Sequence, residues 1–236
     1  MMAEIGSVQP ARRAPVGLVT GFEPFAGLPS NPANSVLPYL ADCNAHGIGL
    51  VTCEIPVSMD RVPALVSALI DEHAPVFVLS LGLAMGAPTL RVETMAINAA
   101  HFGVPDNDGA RPEGGASIAE GPAAMRATWD AGAVMAAVEA EGVPARLSFH
   151  AGTHLCNLTL YTCLSLLGGR SPRVPCGFLH LPYLPEQIVW MRRRANAAAG
   201  GAAWDQPSMA LDLQVRAVKA AVSVMARQAL ADAPTG

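Results

Sequence analysis

Val76-Phe-Val-Leu-Ser-Leu81 is a run of strand-forming residues, apolar but for Ser80 and closed by Gly82. Just before it, Val62, Leu65, Val66, Leu69 and Ile70 recur at helical spacing within residues 59–73. Before that helix, Leu50-Val-Thr-Cys-Glu-Ile55 reads as another strand. A strand, an amphipathic helix and a strand apolar on both faces predict a parallel sheet covered by helices.

The alternation continues outward in both directions. Towards the N-terminus, Val16-Gly-Leu-Val-Thr20 reads as a buried strand ending in Gly21, followed by a helix over residues 33–42. Towards the C-terminus, Leu90–Ile97 reads as extended, 122–141 as a helix and Ala145–Phe149 as a strand. A helix then opens near Cys156, Val174–Leu181 forms a last strand, and residues 185–199 and 208–231 close the chain as helices. The stretch 102–117, rich in Gly, Pro, Asp and Asn, is the longest loop and suits either a lid or an interface. The pattern predicts a single-domain, three-layer α/β/α fold over residues 14–232, with a mainly parallel twisted sheet. Residues 1–13 read as a short disordered lead. In such sheets sites gather at the carboxyl ends of strands, where Gly21, Gly82, Ala151 and His180 fall.

Composition narrows the classes of function. The 236 residues are 51% hydrophobic and 14% charged, but the apolar runs are short and broken by Gly and Pro. None is long enough to span a bilayer. Arg12 and Arg13 precede a strand and turn instead of the longer apolar region of a signal peptide, so the expected location is cytoplasmic. A net charge of −4 argues against nucleic acid, and Arg192-Arg193-Arg194 is explained by a solvated helix face. Five cysteines without CxxC pairs fit reduced thiols, neither a disulfide framework nor a zinc ribbon.

Among those thiols Cys156 stands apart. It lies in His150-Ala-Gly-Thr-His-Leu-Cys-Asn157, a small-residue turn opening onto Leu158, Leu160, Tyr161 and Leu164. The thiol therefore falls in the first turn of a helix, where unpaired N–H groups and the macrodipole favour negative charge. Thiols in that setting react as thiolates. The alternative is a buried cysteine acting as a small hydrophobe.

A thiol nucleophile needs a base and a group to orient that base. His180 ends an apolar strand at the edge where sites collect, although a core histidine bonded to backbone would look the same. Glu93 lies inside a largely apolar segment, where an unpaired carboxylate is costly, so it calls for a partner. Glu93, Cys156 and His180 together make an acid–nucleophile–base triad, defined by geometry and not by chain order. His150, His154 and Cys156 also raise a metal reading, but Gly152 interrupts and the segment begins in a turn, so no metal is expected. No Walker loop, GxGxxG after the first strand or GxSxG elbow is present.

With these residues in place, the chain resembles the pyrrolidone carboxyl peptidase (pyroglutamyl peptidase I) family of cysteine peptidases over about residues 15–230. Thr20-Gly-Phe-Glu-Pro-Phe-Ala-Gly27 with Asn31-Pro32 is similar to its opening block, and Glu93-Thr-Met-Ala-Ile-Asn98 to its glutamate block. Ala151-Gly-Thr-His-Leu-Cys-Asn157 resembles the cysteine block. Gly177-Phe-Leu-His-Leu-Pro182 with Pro185-Glu-Gln187 resembles the histidine block, and Pro207-Ser-Met-Ala-Leu211 a further one. The resemblance implies a phosphorylase/hydrolase-like domain that removes N-terminal pyroglutamate from peptides through a Cys thioester. Cys156 would be nucleophile, His180 base and Glu93 its orienter, with no cofactor and often a homotetramer. It also implies that Phe22 and Phe25 sandwich the lactam ring, where core packing is the alternative.

Several positions depart from the family pattern. Thr94 stands where a basic residue is usual, Ala87 where many members have Arg, Leu83 where many have Gln, and His150 in place of a small polar residue. Clustered around the pocket, such changes would bear on substrate preference more than on the triad. They keep open a relative acting on another N-acyl or lactam amide, or a non-catalytic binding homologue. Arg91, facing the same way as Glu93 on a strand, is expected either to supply the charge missing at position 94 or to be a solvated arginine.

Overall fold

Phe77, Leu79 and Leu81 pack into one apolar layer, and Val78 points into the other. That alternation makes strand β4 (Phe77–Leu83) the middle of a three-layer structure. The protein is described here by a computed structural model covering residues 14–197 and 206–233; the expected lead, residues 1–13, lies outside the described residues.

Around β4 the chain builds β1 (Val16–Phe22), α1 (Pro32–Val36), β2 (Asn44–Ala45), β3 (Ile48–Ile55) and α2 (Val62–His73). After β4 come β5 (Leu90–Glu93), β6 (Met95–Ile97), β7 (Ala124–Arg126), α3 (Ala131–Ala140) and β8 (Ala145–Ser148). The last elements are α4 (Leu155–Leu167), β9 (Cys176–Leu181), α5 (Pro185–Ala197) and α6 (Leu211–Ala231). The main sheet has the order β2-β3-β1-β4-β9-β5-β8. Strands β3, β1, β4 and β9 are parallel; β5 and β8 run together but opposite to β9, and β2 is antiparallel to β3. Apolar residues of α1, α3 and α6 share one core with the sheet, and those of α2 and α4 the other. The expected mainly parallel α/β/α architecture is therefore present.

The chain runs from β1 outward to β3, then back across to β4, so the order reverses between β1 and β4. Such a reversal leaves a crevice beyond the carboxyl ends of the strands. Phe22 and Leu83 stand at those ends.

Three expected elements differ. Residues 122–130 are not helical: Ala124–Arg126 pairs antiparallel with Met95–Ile97, and the helix begins only where the Asp130 side chain accepts from the Ala133 N–H. The run Leu90–Ile97 is extended but divides at Thr94, whose N–H and hydroxyl both donate to the Ser148 carbonyl. Residues 90–93 thereby join the main sheet and 95–97 a separate ribbon. The helix over 33–42 shrinks to α1 plus a 3-10 turn at Leu37–Tyr39, because Pro38 supplies no N–H to continue an α-helix. Of the expected helix 185–199, residues 198 and 199 lie outside the described residues.

Candidate active site

Helix α4 begins at Leu155, so Cys156 occupies its second position. The first bond into this helix is Leu158 N–H to the His154 carbonyl. The N–H groups of residues 155–157 consequently have no acceptor within the helix and open at the thiol. Asn157 fixes the helix start: its Oδ1 accepts from Ile97 N–H at 2.9 Å, and its Nδ2 donates to the carbonyls of Ile97 and Ala99.

Beneath the thiol lies Gly82, the residue paired with His180 across the parallel β4–β9 ladder. A β carbon at Gly82 would stand 2.7 Å from Cys156 Sγ and 2.8 Å from the Phe178 ring. Only a bare backbone lets the thiol settle here.

His180 is 7% exposed and Glu93 fully buried. Their contact crosses between opposed strands, where Arg91 is the register partner of His180 and Glu93 that of Phe178. The imidazole Nδ1–H donates to Glu93 Oε1 at 2.8 Å. That fixes the tautomer and leaves the other ring nitrogen available to Cys156, which lies close enough for its charge to act on the imidazole. Burial pulls the His180 pKa down most strongly, yet neighbouring Cys156, with the charge and hydrogen bond of Glu93, more than offsets it. The net result is a pKa raised to about 9. Glu93 is held from behind as well, its carbonyl accepting the Trp129 Nε1–H at 3.0 Å.

Cys156 and His180 open on a cavity of about 280 Å³ whose wall includes Phe22, Phe25, Asn31, Val57, Leu83 and His154. The two aromatic rings singled out in the sequence thus reach the same cavity as the thiol, although Phe22 also belongs to the core. Asn31 caps α1 by accepting from Ala33 N–H and donates to the Glu23 carbonyl.

The departures from pattern do not cluster around the pocket as expected. Leu83 lines it, whereas Ala87 is buried away from its wall, Thr94 lines a different groove, and exposed His150 accepts from Gly152 N–H. Thr94 is committed to the Ser148 carbonyl and binds no carboxylate. Arg91 shares a sheet face with Glu93 but forms no bond to it: Arg91 Nε and Glu93 Oε2 are both buried without a hydrogen-bond partner. Of the two readings of Arg91, the pairing with Glu93 is not found: Glu93 bonds to His180 instead. Asn157, which the sequence did not single out, and His154, which it raised only as a possible metal ligand, sit on either side of Cys156. Their adjacency in sequence to Cys156, the candidate nucleophile, was the available signal.

A family model described as pyroglutamyl peptidase matches residues 16–228. The chain belongs to this family. Pyrrolidone-carboxylate peptidases of Yersinia pestis and Yersinia pseudotuberculosis are 37% identical to it over 172 residues, covering 73% of this chain and 80% of theirs. Among solved structures, pyrrolidone carboxyl peptidase from Thermococcus litoralis superposes with a TM-score of 0.83 at 29% identity, covering 93% of this chain and 96% of that one. A mutant pyrrolidone carboxyl peptidase from Pyrococcus furiosus gives 0.83 and 29%, over 90% of this chain and 98% of that one. The match includes the strands and the helix that carry Glu93, Cys156 and His180.

Proposed function

We propose that this protein is a cysteine exopeptidase that hydrolyses the amide bond following an N-terminal pyroglutamyl residue. The observation that carries the proposal is the hydrogen-bonded Glu93–His180 pair sharing a small, largely apolar cavity with Cys156. Pyroglutamyl peptides have no free α-amine, so a charged anchor is not needed. A flat uncharged lactam suits an aromatic slot lined by Phe22 and Phe25.

In the proposed reaction Cys156 thiolate attacks the pyroglutamyl carbonyl carbon, and the carbonyl π electrons move to oxygen. The N–H groups opening α4 stabilise that oxyanion. The tetrahedral intermediate collapses as the C–N bond breaks, and the His180 imidazolium gives its proton to the departing amine. A thioester remains. Water, deprotonated by His180, attacks it, and thiolate leaves with release of pyroglutamate. Glu93 orients the imidazole and favours its cation throughout.

The domain assignment extends this proposal to one peptidase unit over residues 14–232. Five free cysteines are compatible with a reducing, cytoplasmic setting. Among the described residues no helix is long and apolar enough to cross a membrane. Assembly into a homotetramer is part of the same proposal and is tested by sedimentation.

Release of a fluorogenic amine from its pyroglutamyl conjugate, lost in Cys156→Ser, is the expected result. Rapid iodoacetamide labelling of Cys156 without that turnover would overturn the substrate assignment in favour of another N-acyl or lactam amide. An inert thiol together with no turnover would leave a binding protein.

A further inference from the structure

His154 takes the N-cap position of α4 without making a side-chain cap hydrogen bond. Its imidazole instead lies against Phe102, with ring centroids 3.9 Å apart and planes tilted by 30°, and 5.2 Å from the Phe25 ring. Its Nε2 is 3.0 Å from the Val104 carbonyl. A carbonyl only accepts, so Nε2 carries the hydrogen and the bond runs from imidazole to backbone.

Val104 belongs to the long polar loop, and with Gly103 it forms part of the cavity wall. That loop is anchored on both sides of residues 103–105. On one side, Thr153 Oγ1 donates to the His101 carbonyl, and Phe102 N–H to that of Pro112. On the other, Asp106 accepts from the N–H groups of Met59, Asp108 and Ala110. Asn107 donates to Glu23 Oε1 and the Pro24 carbonyl. Among the described residues, the bond from His154 is the tether on residues 103–105, and Val104 is 47% exposed.

We propose that His154 is a positioning residue: its N–H···O=C tether holds Val104 as the outer wall of the pocket and so sets affinity for the pyroglutamyl group. This rests on the peptidase function proposed above. A phenyl ring could supply the aromatic contact but not the tether, whereas imidazole supplies both. Burial lowers the His154 pKa, against the opposing pull of the Val104 carbonyl and Asp106. The neutral ring that results suits a pocket for an uncharged lactam.

The test is His154→Phe, which keeps a ring against Phe102 and deletes the donor. Loss of one net hydrogen bond predicts a KM for the pyroglutamyl conjugate raised about three- to ten-fold, with the effect on KM rather than kcat. Cleavage by a broad-specificity protease at residues 103–105 should accelerate, and added pyroglutamate should protect the wild type more than the variant. Iodoacetamide labelling of Cys156 reports separately on the nucleophile and should keep its rate. An unchanged KM in the variant overturns the inference, as does a loss confined to kcat with slowed labelling. Failure of the wild type itself to turn over the conjugate would instead overturn the peptidase assignment.

Discussion

Gly82 lies directly under Cys156, so that a β carbon there would approach Sγ to 2.7 Å. The thiol has a single rotatable bond with which to retreat, and retreat turns it away from His180. Gly82→Ala is therefore expected to lower kcat/KM about 100-fold or more, equivalent to roughly 3 kcal/mol of transition-state stabilisation. Stability should fall less, by about 1–3 kcal/mol from overpacking against Phe178. Steady-state kinetics alongside urea unfolding separate the two effects; an alanine variant with native activity would contradict the packing argument.

The raised His180 pKa of about 9 gives activity a basic limb. As pH rises through that value, the imidazolium that in the proposed reaction protonates the leaving amine is lost. The stability sign follows the same proton. Below the ordinary histidine value of 6.5 both folded and unfolded states hold it, and its contribution is fully present. Between 6.5 and about 9 the unfolded state has released the proton while the folded state retains it, so stability declines with rising pH. Glu93→Gln should move the limb of kcat/KM to lower pH, and in Cys156→Ser an NMR titration should find the His180 pKa below about 9. Neither shifting would show that these neighbours do not set it.

The His154 pKa is shifted in the opposite direction, because there burial outweighs the neighbours that favour the cation. Its pKa is lowered, so the charge is disfavoured in the folded state and stability falls as pH drops below 6.5. His154→Phe should flatten that acid-side decline in a urea-unfolding series between about pH 4 and 7. A decline as steep as in the wild type would assign it to other groups.

Trp129 donates to the Glu93 carbonyl while its indole fills the space left by Gly177, where a β carbon would come within 2.1 Å of the ring. Trp129→Phe retains much of the packing and removes the donor. The expected cost is about 1–3 kcal/mol in urea unfolding, from the carbonyl left unpaired and the smaller ring. Gly177→Ala should cost more, since neither an inner strand nor the indole has room to move. The reverse order would indicate that the indole shifts freely.

Asn157→Ala strips partners from the Ile97 N–H and from the carbonyls of Ile97 and Ala99. A loss of about 2–4 kcal/mol is expected, with faster hydrogen exchange at Ile97 by NMR. Unchanged exchange there would mean that the ribbon does not depend on α4 for its order.

Local patterns carried much of this in the sequence. Residues 50–82 alternate period-2 and helical spacing strongly enough to specify parallel strands around a covering helix. A thiol after a small-residue turn, a histidine ending an apolar strand and a carboxylate inside apolar surroundings each advertise themselves locally. Residues 122–130 show where such signals stop. Pro-Ala-Ala-Met-Arg favours helix by propensity, but pairing with Met95–Ile97 overrides it, and the cap at Asp130 marks the true start.

The sequence by itself determined the layered α/β class and the residue types able to act as nucleophile, base and orienter, because burial periodicity and helix-start chemistry are local properties of the chain. Only the tertiary structure decided that Glu93 meets His180 and not Arg91, that Gly82 makes room for Cys156, and that His154 grips Val104. Each of those joins residues 50 to 87 positions apart, and contacts across that separation are fixed by how strands, helix and loop pack, not by any neighbouring residue.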